Sequence, residues 1–576
     1  MSKQRNDSCA ISRRLHGCVP HIDEIRQICQ TPSIVFGVIH EGKVVFEDSV
    51  GYRNAEQTLK PDADTIYMIG SCSKMFTSAA VGILVDEGKL QWQDPVQKYL
   101  PEFDPHGDPR IGQTADIIDL LRHSSGVVDP SELIFGPRGS ILVDGNDMFQ
   151  LLNAMPTTDE KGQRFNREWG YNNVTYGMVA MIVERVSGQR FADFVEERLL
   201  GPLGMNRTAM KRGRIMGDDN VAVPCLKLSN GQFVAAESES WPCDRHTPLL
   251  AATGMRSSLN DMLIWCTAVM SAERHENKTQ SEDIETQDDV TCSQSFCPPR
   301  FHPHNNPLKQ MNRIRRGYWT RPCDDREVSK DAAYCMGWVR MELPSSMMGS
   351  FSGNIHTREN PHRLHLKHIM GMENPSFLMV GHTGGMSGSI ATVWTFPETQ
   401  SAVVAMTNGR DLGDASDFAA QTLIQALFDL TPRVDFTSWA MKEAQLACNH
   451  FPNIILKPWL EDRRPNEAGR DPMCYVGEYR GINGLFALRI SADSNRKLSV
   501  LFNNHELSKC PLVFFGRDTY SYLLEDYDSW TTMVIWAKSY KKTIFEFDVG
   551  SESTKASGLW WRWYSDEPAS WFSRIQ

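Results

Sequence analysis

The stretch IGSCSKMFT, Ile69 to Thr77, sets a serine and a lysine three residues apart where a helix-spaced apolar run begins. A serine hydroxyl is a weak nucleophile at neutral pH unless a neighbouring base takes its proton. On one helix, Ser71 and Lys74 would share a face, and their side chains could meet. Burial at the helix mouth would lower the lysine pKa and leave a neutral amine able to accept that proton. Taken alone, the pair reads first as a helix cap, with Ser73 competing for the role, beside a solvated lysine.

Two distant stretches change that balance. EWGYNNVTYG carries Tyr171 and Asn173 just before a predicted helix, and GHTGGMSG carries His382, Thr383, Gly384 and Gly385 at the end of a predicted strand. Each by itself is a turn with a packed tyrosine or a glycine-rich hairpin. Together, Ser-x-x-Lys, then Tyr-x-Asn, then His-Thr-Gly resemble the serine β-lactamase and penicillin-binding protein superfamily. The resemblance is closest to its class C lactamase, D-aminopeptidase, esterase and transesterase branch, which is peptidase S12-like, and to eukaryotic, fungal-type members. GKLQWQDPVQKYLPEF, LLRHSSGV, GPLGM and TGMRSSLNDM extend it across roughly Ile34 to Leu430.

The resemblance implies an α/β (α+β) fold: a central antiparallel sheet flanked by helices, an all-helical subdomain and a C-terminal lipocalin-like antiparallel β-barrel. It implies that Ser71 attacks a carbonyl and becomes acylated, with Lys74 and Tyr171 moving its proton. An amine beside Tyr171 would lower the phenol pKa and make phenolate a base. Asn173 would bond the lysine or the substrate, and the backbone N–H groups of Ser71 and Gly385 would form an oxyanion hole. Gly384 would permit close approach there, while His382 and Thr383 would orient a carboxylate or other polar group. Histidine at position 382 removes a permanent cation, so esters, amides, lactams and D-peptides all stay open. Hydrolysis is the expected outcome. Transfer to an alcohol or amine acceptor, as in secondary metabolism, uses the same residues. A catalytically silent ligand- or protein-binding relative is the alternative of another class, but it would be expected to lack Ser71, Lys74 or Tyr171.

The elements that must position these residues are legible in outline. SIVFGVIHEGKVVFEDSVGYRNA reads as two strands joined at Glu41-Gly42-Lys43, and SKMFTSAAVGILVDEGKL as a buried helix stopped at Gly88. Further helices are expected in TYGMVAMIVERVSG and in SLNDMLIWCTAVM, the latter capped by Ser258. The expected organisation is an N-terminal extension over 1–30, a catalytic domain over 31–432, a linker over 433–472 and an all-β domain over 473–576. Polar insertions at about 271–330 and 345–374 read as a mobile lid or surface elaboration.

With 576 residues, 41% hydrophobic and 23% charged, the chain has ample core for more than one domain. A net charge of -11 argues against nucleic acid and anionic membranes as partners. The expected partner is a small-molecule or short-peptide acyl donor. Neither an apolar leader nor a spanning segment is evident, and the 14 cysteines sit in apolar runs like reduced thiols, so a cytoplasmic location is expected. No cofactor or metal is expected; Cys292, Cys297, His302 and His304 read as an unliganded loop. His123 and Cys72 read as packing residues, and Trp560, Trp561 and Trp563 as barrel filling.

Overall fold

The computed structural model describes residues 2–159, 162–236, 249–282, 306–323, 325–327, 329–533, 539–551, 553–564 and 567–575. Cys292, Cys297, His302 and His304 lie outside them.

The predicted opening hairpin is present as strands Ser33–His40 and Lys43–Gly51. Its turn residues Glu41 and Gly42 both hold positive φ, 51° and 73°, the conformation that matches a two-residue turn to strand twist. This pair forms one edge of an eight-stranded sheet, continued by Ser401–Thr407, Ser389–Phe396, Phe377–Met386, Val339–Leu343, Ala332–Tyr334 and Trp319–Arg321. The pairings are antiparallel throughout. Strands Ser389–Phe396 and Ser401–Thr407 are buried at every position, because helices cover both faces. One face carries Ser73–Asp86 and Leu259–Glu282, and the other carries Ala415–Phe428.

Three segments are more ordered than their composition suggests. The helix begun by SLNDM runs from Leu259 to Glu282, well into the stretch expected to be mobile. It is tied down where Glu273 pairs with the fully buried Arg315, and where the Glu276 carboxylate accepts from the N–H groups of Met311 and Asn312 at 2.9 and 2.8 Å. The expected N-terminal extension holds helices Ser2–His16 and Val19–Ile28, whose Leu15, Ile22 and Ile25 are fully buried. The expected linker contains helix Phe436–Ala447, with Phe436 and Ala440 in the same core as the sheet. One apolar stripe suffices to dock an otherwise polar helix.

Beyond it, nine antiparallel strands between Gly477 and Ile575 form a nearly closed barrel. Trp561 and Trp563 point inward, at 3% and 2% exposure, whereas Trp560, the residue before Trp561, is 45% exposed and does not fill the barrel as expected, because neighbouring strand residues face opposite sides. The barrel interior and the helical subdomain belong to one continuous hydrophobic cluster.

Candidate active site

Ser71 sits in a tight 3-10 turn, Gly70–Cys72, that feeds directly into helix Ser73–Asp86. Gly70 holds φ at 48°, and a Cβ there would lie 2.7 Å from the Gly385 nitrogen. A Cβ on Gly384 would lie 2.0 Å from the Ile69 carbonyl oxygen and 2.7 Å from the Ser71 nitrogen. The strand Phe377–Met386 and the serine turn therefore touch backbone to backbone, and only glycine permits it. This contact gathers the amides of Ser71 and Gly385 beside the hydroxyl.

Lys74 is fully buried, with Nζ 3.1 Å from Ser71 Oγ, 2.7 Å from Asn173 Oδ1 and 3.3 Å from the Ala252 carbonyl oxygen. Burial pushes its pKa down to about 7, against the opposing pull of Asp129. A neutral amine has two N–H bonds. Spending them on Asn173 and Ala252 turns the lone pair towards Ser71, the geometry a general base needs. The Asn173 amide is itself oriented, its Nδ2 donating to Asp129 Oδ2 and to Ser131 Oγ at 3.2 Å each.

Tyr171 completes the group: its ring centroid is 4.7 Å from Lys74 Nζ, and its hydroxyl hydrogen-bonds Ser71. Burial opposes the expected phenolate: it raises the Tyr171 pKa, outweighing the hydrogen bond with Ser71, and so favours the neutral phenol.

The third motif also departs from expectation. His382 is 1% exposed, and burial lowers its pKa to about 3, with Lys74 adding to the effect. A chain of bonds fixes its tautomer. The Asn172 N–H donates to His123 Nδ1 at 3.1 Å, so His123 Nε2 carries hydrogen towards the Tyr334 hydroxyl at 3.1 Å. Tyr334 then donates to His382 Nε2 at 3.1 Å, and His382 Nδ1 donates to the Thr383 carbonyl at 2.5 Å. The Thr383 hydroxyl donates to the Phe351 carbonyl at 2.5 Å. The His382 ring N–H and the Thr383 hydroxyl are thus both committed to backbone carbonyls, although both residues line the cavity at Ser71, and burial favours a neutral His382.

Two cavities meet at Ser71 and Tyr171. One, of about 320 Å³, runs between the helical subdomain and the barrel and is lined by Phe135, Leu142, Phe502, Tyr522 and Trp561. The other, of about 1000 Å³, passes Trp169, Arg321, Phe351 and His382. Sequence reasoning missed these walls. Phe351 and Arg321 fall in the stretches set aside as insertions, and the barrel residues carry no motif. Cys72, beside the nucleophile, is fully buried with a raised pKa, so it is a thiol of the core.

Residues 20–427 match the family model for Beta-lactamase. The chain belongs to this family. Curated relatives include Protein flp of Staphylococcus aureus (strain NCTC 8325 / PS 47), 28% identical over 175 residues, and Penicillin-binding protein 4* of Bacillus subtilis (strain 168), 29% identical over 175 residues. Each alignment takes in 30% of this chain and 34% or 37% of the relative, so the match spans about a third of those proteins. Among solved structures, the octameric penicillin-binding protein homologue from Pyrococcus abyssi aligns over 96% of this chain and 98% of its own, at 18% identity and a TM-score of 0.50. That likeness concerns the fold, barrel included. Family membership supports a serine acyl-enzyme hydrolase or transferase. No helix among the described residues is long and apolar enough to cross a membrane.

Proposed function

We propose that this member of the Beta-lactamase family acylates Ser71 with the acyl part of an ester, amide or lactam and then passes it to water. The observation that carries the reading is the 3.1 Å separation between Ser71 Oγ and Nζ of Lys74, a fully buried amine whose pKa burial brings down to about 7. Lys74 takes the serine proton as the hydroxyl attacks. The amides of Ser71 and Gly385 receive the oxyanion, typically the largest single contribution to the rate. Tyr171 donates a proton to the leaving group, and the proton that Lys74 took from Ser71 replaces it on the phenol. Transfer to an alcohol or amine instead of water is favoured by the roomy 1000 Å³ cavity, which has space for an acceptor beside the acyl-serine.

We place the enzyme, in the same proposal, among cytoplasmic, S12-like, fungal-type members that act on small molecules in secondary metabolism. The described cysteines are all free thiols, which suits a reducing compartment. The test is a fluorophosphonate probe followed by intact-mass and peptide mass spectrometry. One adduct per chain on Ser71, absent from Ser71→Ala, is the expected result. Labelling elsewhere, or none, would sink the reading. Product analysis of an activated ester with and without an alcohol then separates hydrolysis from transfer.

A further inference from the structure

The barrel contributes a wall to the cavity that opens on Ser71. Phe502, Tyr522 and Trp561, at 2%, 2% and 3% exposure, face Phe135 and Leu142 of the helical subdomain across it. The polar atoms of that wall are already engaged. Tyr522 Oη and Trp561 Nε1 both donate to the Lys542 carbonyl, at 3.1 and 2.9 Å, and Lys542 Nζ is ion-paired with Glu132. What remains for a ligand is ring faces and aliphatic carbon. The wall is also held in place: Asn503 Nδ2 donates to the Leu142 carbonyl at 2.8 Å, and Arg138 Nη1 donates to the carbonyls of Leu507 and Lys509 at 3.2 and 2.8 Å.

The two cavities differ in a way that assigns their roles. The larger one has room for a leaving group to depart and an acceptor to arrive. The smaller one has an aromatic wall from the barrel facing the helical subdomain and suits the part that stays attached to the serine. Apolar cavities of about 150 Å³ already accept benzene, so 320 Å³ holds an aryl group or a medium-length aliphatic chain.

We propose that the C-terminal barrel is part of the active site, and that Phe502, Tyr522 and Trp561 select donors with an apolar aliphatic or aryl acyl group. The proposal rests on the acyl-enzyme reading. A second domain thereby sets specificity for chemistry performed by the first. Each methylene removed from water strengthens binding about fourfold, so chain length is a sensitive readout.

The experiment is a series of p-nitrophenyl esters from acetyl to octanoyl, assayed on the full chain. In the wild type, kcat/KM for the hexanoyl ester exceeds that for acetyl at least tenfold. Trp561→Ala and Phe502→Ala reduce that ratio at least fivefold, and Leu142→Trp, which fills the cavity from the other domain, reduces it as well. Trp561→Phe serves where the alanine variant fails to fold. A flat wild-type profile, or ratios within twofold of wild type in every variant, would overturn the proposal. So would a dependence on Trp561 that appears with alkyl acetates of varied alcohol length and not in the acyl series. Fluorophosphonate labelling runs in parallel: a labelled Ser71 with a flat profile refutes only this inference, whereas an unlabelled one refutes the acyl-enzyme reading. Titration of 4-phenylbutan-1-ol into Ser71→Ala reads the cavity without chemistry, and binding that Trp561→Ala does not weaken also overturns the proposal.

Discussion

The two walls that meet at Ser71 treat buried charge in opposite ways. On the barrel side, Lys542 is almost fully buried and its cation is answered by Glu132 across the domain junction. On the other side, Arg321 lies between the rings of Trp169 and Phe351, 4.6 and 4.5 Å from their centroids, and no carboxylate among the described residues pairs with it. Its Nη1 is covered and has no protein partner. Burial lowers its pKa to about 10, with Arg358 adding to the effect. Aromatic faces offset part of the lost hydration, but a paired ion and a caged one respond differently to mutation. A paired ion fixes geometry between domains, while a caged one holds a charge ready beside the larger cavity.

Lys74 contacts Ser71, on which both cavities open, so its loss has the largest effect. Lys74→Met is expected to lower kcat/KM by about 10²–10⁴-fold. In the wild type kcat/KM is expected to rise with pH up to about 7 and then level, because the amine must be deprotonated to act, and the variant is expected to lose that limb. Linkage provides a second reading of the same substitution. The unfolded chain holds the Lys74 proton to higher pH than the folded one, so burying this amine costs stability below about pH 10. Lys74→Met should therefore raise the melting temperature at pH 7, and a lower one would contradict the burial argument.

Next comes the paired ion. Lys542→Met strands the Glu132 carboxylate and should cost about 3 kcal/mol, at the low end for a broken buried pair because Glu132 keeps some contact with water. Chemical denaturation checks this, and the double variant with Glu132→Gln should recover part of the loss. Tyr334→Phe removes the hydroxyl joining the two neutral histidines and is expected to cost about 1–2 kcal/mol, with a larger drop in kcat than rise in KM if His382 positions the strand carrying Gly385. The smallest effect belongs to the caged ion. Arg321→Met exchanges an uncompensated cation for an apolar side chain of similar length, and unfolding free energy should move by less than about 1 kcal/mol. A loss as large as that of Lys542→Met would mean that Arg321 has a counter-charge after all, and the contrast between the walls would fall.

Local signals were strong wherever one segment decided the outcome. The hairpin at Glu41-Gly42, the helix stops at Gly88 and Gly188, and the alternation through Trp560 to Trp563 follow from backbone freedom and side-chain period alone. The three spaced motifs carried enough chemistry to nominate Ser71, Lys74, Tyr171 and Asn173, which the structure brings together. Composition failed where packing ruled. The chain after Ser271 stays helical through Glu282, held where Glu273 meets Arg315, a residue 42 positions away.

The amino-acid order by itself determined the nucleophile and base candidates, the succession of strands and helices and the presence of an all-β C-terminal domain, since each rests on near neighbours. Only the tertiary structure decided the states and surroundings of these groups. It buried Tyr171 so that its pKa rises, buried His382 so that its pKa falls while both ring nitrogens are hydrogen-bonded, and put barrel aromatics beside a serine more than 400 residues earlier. Ionisation and cavity shape depend on which distant groups exclude water together, and that property belongs to the folded assembly.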